Sequence, residues 1–95
     1  MSLSETLISN HALTRMRQRS IPRIAIDLLL SLGKRQFDGH GGIIYHFDKQ
    51  AKKRLTRAVG VSSQQSSHIS RTYLVASVDH SSIITVGYRT KRIHR

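Results

Sequence analysis

Cysteine and tryptophan are absent from this 95-residue chain, proline occurs once, and the aromatic side chains are three tyrosines and two phenylalanines. Without cysteine there is no disulfide, no thiolate nucleophile and no cysteine-held zinc or iron–sulfur centre. Carboxylates are scarce, five in all: Glu5, Asp27, Asp38, Asp48 and Asp79. That scarcity argues against a paired-carboxylate glycosidase and against a magnesium nuclease built on several aspartates. The longest apolar stretch, Ile24 to Leu32, is interrupted by Asp27 and Ser31 and is too short to span a membrane. Met1-Ser-Leu-Ser-Glu5 lacks the positive start and apolar run of a signal peptide. The expected location is therefore the cytoplasm, with no membrane partner. No phosphate-binding glycine loop and no G-x-S-x-G nucleophile elbow is present. The length suits one domain over residues 1–95.

Cations are what the chain has in excess. Lysine and arginine number 16 against the five carboxylates, a formal net charge of +11. Such a balance favours polyanions: nucleic acid, and RNA first among them, with an anionic membrane surface or an acidic protein as the other classes.

Residues 1–8 read as a flexible arm. Ser9 or Asn10 caps a first helix to about Arg19, with Ala12, Leu13 and Met16 as its apolar stripe. His11 and Arg15, four apart, fall on one face beside that stripe. Pro22 opens a second helix on which Ile21, Ile24, Ala25, Leu28, Leu29 and Leu32 recur at helical spacing, and Gly33 is expected to end it in a left-handed turn. Lys34 to Asp38 reads as an edge strand. Gly39-His40-Gly41-Gly42 reads as a turn and Ile43 to Phe47 as a strand. Asp48 caps a third, lysine- and arginine-rich helix over about Lys49 to Val59, stopped at Gly60. The Ser/Gln-rich stretch 61–70 has little to bury and reads as a mobile loop. Thr72 to Val78 and Ile83 to Tyr88 form a second hairpin around Asp79-His80-Ser81-Ser82. The sum is an α+β layer: helices on one face of an antiparallel sheet, the other face polar and open to a ligand.

The first helix, the third helix and the tail are the basic elements, and their convergence on one surface would make a phosphate track. Arg19, Lys52, Lys53, Arg57, Lys91 and Arg92 are the candidate nucleic-acid contacts, with arginine offering a planar fork and lysine a point charge. Tyr45 and Tyr73 read as packing; Tyr88, just ahead of the tail, suits packing or base stacking. No histidine has a partner at metal-ligand spacing, so no metal site and no cofactor is called for. Histidine, tyrosine and arginine do suffice for metal-independent RNA cleavage, in which the RNA's 2′-hydroxyl attacks the adjacent phosphate.

Asn10-His11-Ala12-Leu13-Thr14-Arg15-Met16-Arg17-Gln18-Arg19-Ser20-Ile21-Pro22 resembles the opening helix of a broad family of small prokaryotic proteins of unknown function. Its members share a His-Ala … Arg-Met … Arg-Gly-Ile pattern, a second helix ending at glycine, and a last strand like Ile84-Thr85-Val86-Gly87-Tyr88. The likeness covers about residues 9–47 and 72–92 and leaves the third helix and the Ser/Gln stretch as an insertion; Ser20 stands where the family commonly has glycine. That family is similar in fold to RelE-like and BrnT-like ribonuclease toxins. The resemblance implies a four-stranded antiparallel sheet, a toxin–antitoxin endoribonuclease, and an acidic antitoxin-like partner. It places His11, Arg15, Thr85, Tyr88 and Arg89 as the catalytic candidates. The alternatives are a non-catalytic nucleic-acid binder and a basic module for an acidic protein.

Overall fold

The computed structural model describes residues 7–59, 64–79 and 81–89. In chain order these form β1 (Leu7–Ile8), α1 (Asn10–Arg19), α2 (Arg23–Leu32), β2 (Lys34–Phe37), β3 (Gly42–His46), α3 (Lys49–Val59), α4 (Gln64–Ile69), β4 (Thr72–Ser77) and β5 (Ser82–Tyr88). The class is α+β. The sheet has five strands in the order β1-β5-β4-β3-β2, not four. The additional strand comes from the stretch expected to be an arm: Leu7 and Ile8 pair in parallel with Ser82 and Ile83 of β5. Every other pairing is antiparallel.

Ser9 joins strand to helix. Its hydroxyl oxygen accepts from the Ala12 N–H at 3.1 Å, capping α1, and donates to the Ile84 carbonyl at 3.0 Å, holding the helix start against β5. From there α1 runs along β5, with Ala12 fully buried and small enough to allow a close approach. The helix ends in a left-handed residue, Ser20 (φ 55°, ψ 43°), whose N–H donates to Arg17 O while the Ile21 N–H donates to Met16 O. This double bond pattern is the Schellman stop, and Ile21 completes it with a buried side chain.

Gly33 does not turn left-handed as expected. It is extended (φ −70°, ψ 157°), and glycine is needed there because a Cβ would stand 2.6 Å from the Leu29 carbonyl oxygen. The turn expected over residues 39–42 does use glycine's freedom: Gly39 and Gly41 have φ of 82° and 88°. Asp38 holds that turn through Oδ1, which accepts from the N–H groups of His40 and Gly42 and so lowers the Asp38 pKa. Asp48 Oδ1 accepts from Ala51 N at 2.9 Å, the cap its position predicts for α3.

The Ser/Gln-rich stretch differs from its expected loop. Residues 64–69 make α4, fixed at its end by Ile69, which is 2% exposed, and by the Thr72 hydroxyl donating to Ile69 O. A single anchoring isoleucine is too small a signal to stand out in a polar run. Residues 1–6, Gly60 and 61–63 lie outside the described residues.

Residues directly opposite in an antiparallel pair share a face. Ile43 and Tyr45 of β3 face Ala76 and Leu74 of β4, and Leu74 faces Val86 of β5. These side chains are buried in one cluster with Ala12 of α1, Ala25, Ile26 and Leu29 of α2, Ala51 and Leu55 of α3 and Ile69 of α4. The helices therefore cover this face. Ile44, Tyr73, Val75 and Thr85 point to the other face and remain only partly buried. Among the described residues, no helix is long and apolar enough to cross a membrane.

Candidate nucleic-acid interface

The uncovered sheet face becomes polar and cationic toward one end. Across the strands run Lys34 of β2, His46 of β3, Tyr73 of β4 and Gly87 of β5, each opposite the next in the register. One pair further on, the Arg89 N–H donates to the Arg71 carbonyl at 2.7 Å, which extends the β4–β5 ladder past Thr72 and Tyr88 and sets Arg71 opposite Arg89. By the two-residue alternation of a strand, Arg71 and Arg89 share the face of Tyr73 and Gly87.

Arg89 is half-buried. Its Nη2 donates to the Phe47 carbonyl at 3.2 Å, which lays the side chain across the sheet end. Its buried Nε has no acceptor among the described residues. A guanidinium held by one edge keeps part of its planar fork for an incoming oxygen. Arg71 is exposed. Lys34 Nζ lies 3.8 Å from Asp48 Oδ2, a half-exposed pair that sets a carboxylate beside the row. His46 is 5% exposed and packs into the floor of the face.

The expected site residues are divided by this arrangement. Thr85, on β5, and Arg89, one residue past its end, lie on the open face four residues apart. Tyr88, between them in alternation, points to the covered side. Its hydroxyl donates to Ser20 O at 3.4 Å and its ring meets His68 edge-on at 5.4 Å. His11 is exposed on α1, and Arg15 is half-buried, its buried Nε without an acceptor among the described residues. Arg19 is exposed near the end of α1. Lys52, Lys53 and Arg57 are exposed on α3, which packs against α2 and α4, whereas α1 packs along β5. The two basic helices thus pack on different elements of the same helical layer, α1 along β5 and α3 against α2 and α4. Lys91, Arg92, His80 and His94 lie outside the described residues.

Tyr73 is packed, as its strand position predicts, yet on the open face; Tyr45 is buried in the core. The group that sequence reasoning missed is Lys34, His46, Tyr73, Arg71 and Asp48. Period-two alternation within each strand carried part of the signal, but the pairing of β3 with β4, across α3 and α4, is what brings the group together. Among the described residues, no group of three or more His, Asp or Glu side chains is placed to hold a metal ion.

Comparison with protein-family models, with curated proteins and with solved structures finds no match to this chain.

Proposed function

We propose that this protein binds nucleic acid, RNA in the first instance, by laying the phosphate backbone along the open sheet face. The observation that carries this is the Arg71–Arg89 pair at the end of that face, with Arg71 exposed and Arg89 held by one guanidinium nitrogen on the Phe47 carbonyl. A net charge of +11 adds long-range attraction. Binding of this kind releases counterions, so affinity falls steeply and linearly in a log–log plot against salt. Titration of labelled RNA and DNA across salt concentrations checks it. Retardation at low salt that vanishes at high salt is expected; no retardation at low salt contradicts it.

A second reading, metal-independent RNA cleavage, is favoured by His46 and Tyr73 standing opposite one another beside Arg89. Such a set offers a proton acceptor, a proton donor and a cation for the phosphorane. Incubation with RNA in EDTA separates the two functions. Cleavage that is lost in Arg89→Ala and His46→Gln supports catalysis at this face, and cleavage lost only in His11→Ala moves it to α1. Intact RNA leaves the protein a binder.

A further inference from the structure

Tyr73 and Gly87 are partners in the β4–β5 ladder, and the glycine has a specific consequence. A Cβ on Gly87 would stand 2.9 Å from Tyr73 Cε1, 3.1 Å from its hydroxyl oxygen and 3.2 Å from Cζ. The outer half of the ring therefore occupies the space a side chain on Gly87 would take. Strand side chains ordinarily stand away from the sheet. Here the missing side chain lets the ring lean across the neighbouring strand, and Tyr73 is left half-buried on a face that none of the described helices covers. Arg71 lies two residues away on the same face, roughly 7 Å along the chain, and Arg89 lies two residues beyond Gly87.

We infer that the open face takes nucleic acid as a single strand, with one base stacked on the Tyr73 ring over Gly87 and an adjoining phosphate at Arg71 and Arg89; this deepens, and rests on, the nucleic-acid reading of that face. A ring leaning on a sheet is a platform for an unpaired base. In a duplex each base is already stacked between neighbours and its flat surface is out of reach. Stacking is tolerant of base identity, since every base has a π-face, so the preference is for strandedness more than for sequence.

The test is fluorescence anisotropy with a short labelled oligouridylate and with an RNA duplex of the same length, at low and moderate salt. The oligouridylate is expected to bind about tenfold tighter than the duplex. Tyr73→Ala and Tyr73→Leu are each expected to lose about tenfold on the single strand, a size typical of one base–aromatic stack, and to leave duplex binding within about twofold. Tyr73→Phe keeps the ring and is expected to bind like the native protein. Denaturation curves on the same samples show that each variant is folded, and the native single-strand to duplex ratio needs no variant. A duplex bound as tightly as the single strand, or equal losses on both ligands in the Tyr73 variants, overturns the stacking platform while the phosphate-binding reading stands. Absence of binding to either ligand at low salt overturns both.

Discussion

The two faces of the sheet are made from the same three strands and differ sharply in burial. On one, Ile43, Tyr45, Leu74, Ala76, Ile83 and Val86 are buried beneath the helices. On the other, Ile44, Tyr73, Val75 and Thr85 are partly exposed and lead to Arg71 and Arg89. Alternation alone separates them, so a one-residue slip in register would exchange core for site along a whole strand. The molecule contains one such shift. Between Val75 and Ala76 the partners on β5 step from Thr85 to Ile83, leaving Ile84 as the extra residue. Ile84 is 44% exposed, while Ile83 and Val86 on either side are fully buried. The bulge keeps both in the core and still leaves Thr85 on the open face.

The contrast can be broken most forcefully from the covered side. Leu74→Ala opens a cavity at a fully buried position and is expected to cost about 2–5 kcal/mol; Val75→Ala, its neighbour on the open face, is expected to cost about 1 kcal/mol or less. Urea denaturation of the pair measures the difference, and equal losses would mean that the open face is packed against something. A sharper comparison sets two cations against each other. Arg89→Ala is expected to weaken RNA binding and to reduce the slope of log affinity against log salt by about 1, whereas Lys53→Ala on the helical layer leaves that slope nearly unchanged.

Smaller effects test the frame that holds the faces apart. Ser20 pays for a left-handed conformation with a side chain. Ser20→Gly removes that cost at the end of α1 and is expected to raise stability by about 1 kcal/mol or less, read as a higher midpoint in the same denaturation curves. Asp79 holds the β4–β5 turn through the hydroxyls of Ser77 and Ser81 and the Ser81 N–H, which depress its pKa from 3.8 to about 2. A carboxylate with a lowered folded-state pKa stabilises the fold above the unfolded value and loses that contribution as pH falls through the folded one. The melting-temperature gap between the native protein and Asp79→Ala is therefore expected to be constant above about pH 4 and to close toward pH 2.

Local signals read well in the sequence because their causes are local. Asp48 caps α3, the apolar spacing from Ile21 to Leu32 makes α2, and Asp38 with its glycines makes the β2–β3 turn. Gly33 illustrates the limit: its place at a helix end is legible, but the reason for it is the approach of Leu29 O, which only the packed chain reveals. Leu7 and Ile8 become a strand because β5 offers an edge, and Ile69 fixes a helix in a polar run because the core accepts it. The site depends still more on long-range pairing. Thr85, Tyr88 and Arg89 look like one group along β5, yet Tyr88 turns away from the other two. His46 and Tyr73 are separated by two helices in the chain and are adjacent across the sheet. A sheet with one face left open by the helices was legible from the two hairpins; that Ile44 and Val75 make part of that face apolar while Arg71 and Arg89 make one end cationic was not.

The most direct test of where the phosphate chain lies is nuclear magnetic resonance titration of the isotope-labelled protein with a short single-stranded RNA. The account predicts that the shifted signals cluster at Arg71, Tyr73, Val75, Thr85, Gly87 and Arg89. Shifts confined to Lys52, Lys53 and Arg57 on α3, with the open face silent, would contradict it.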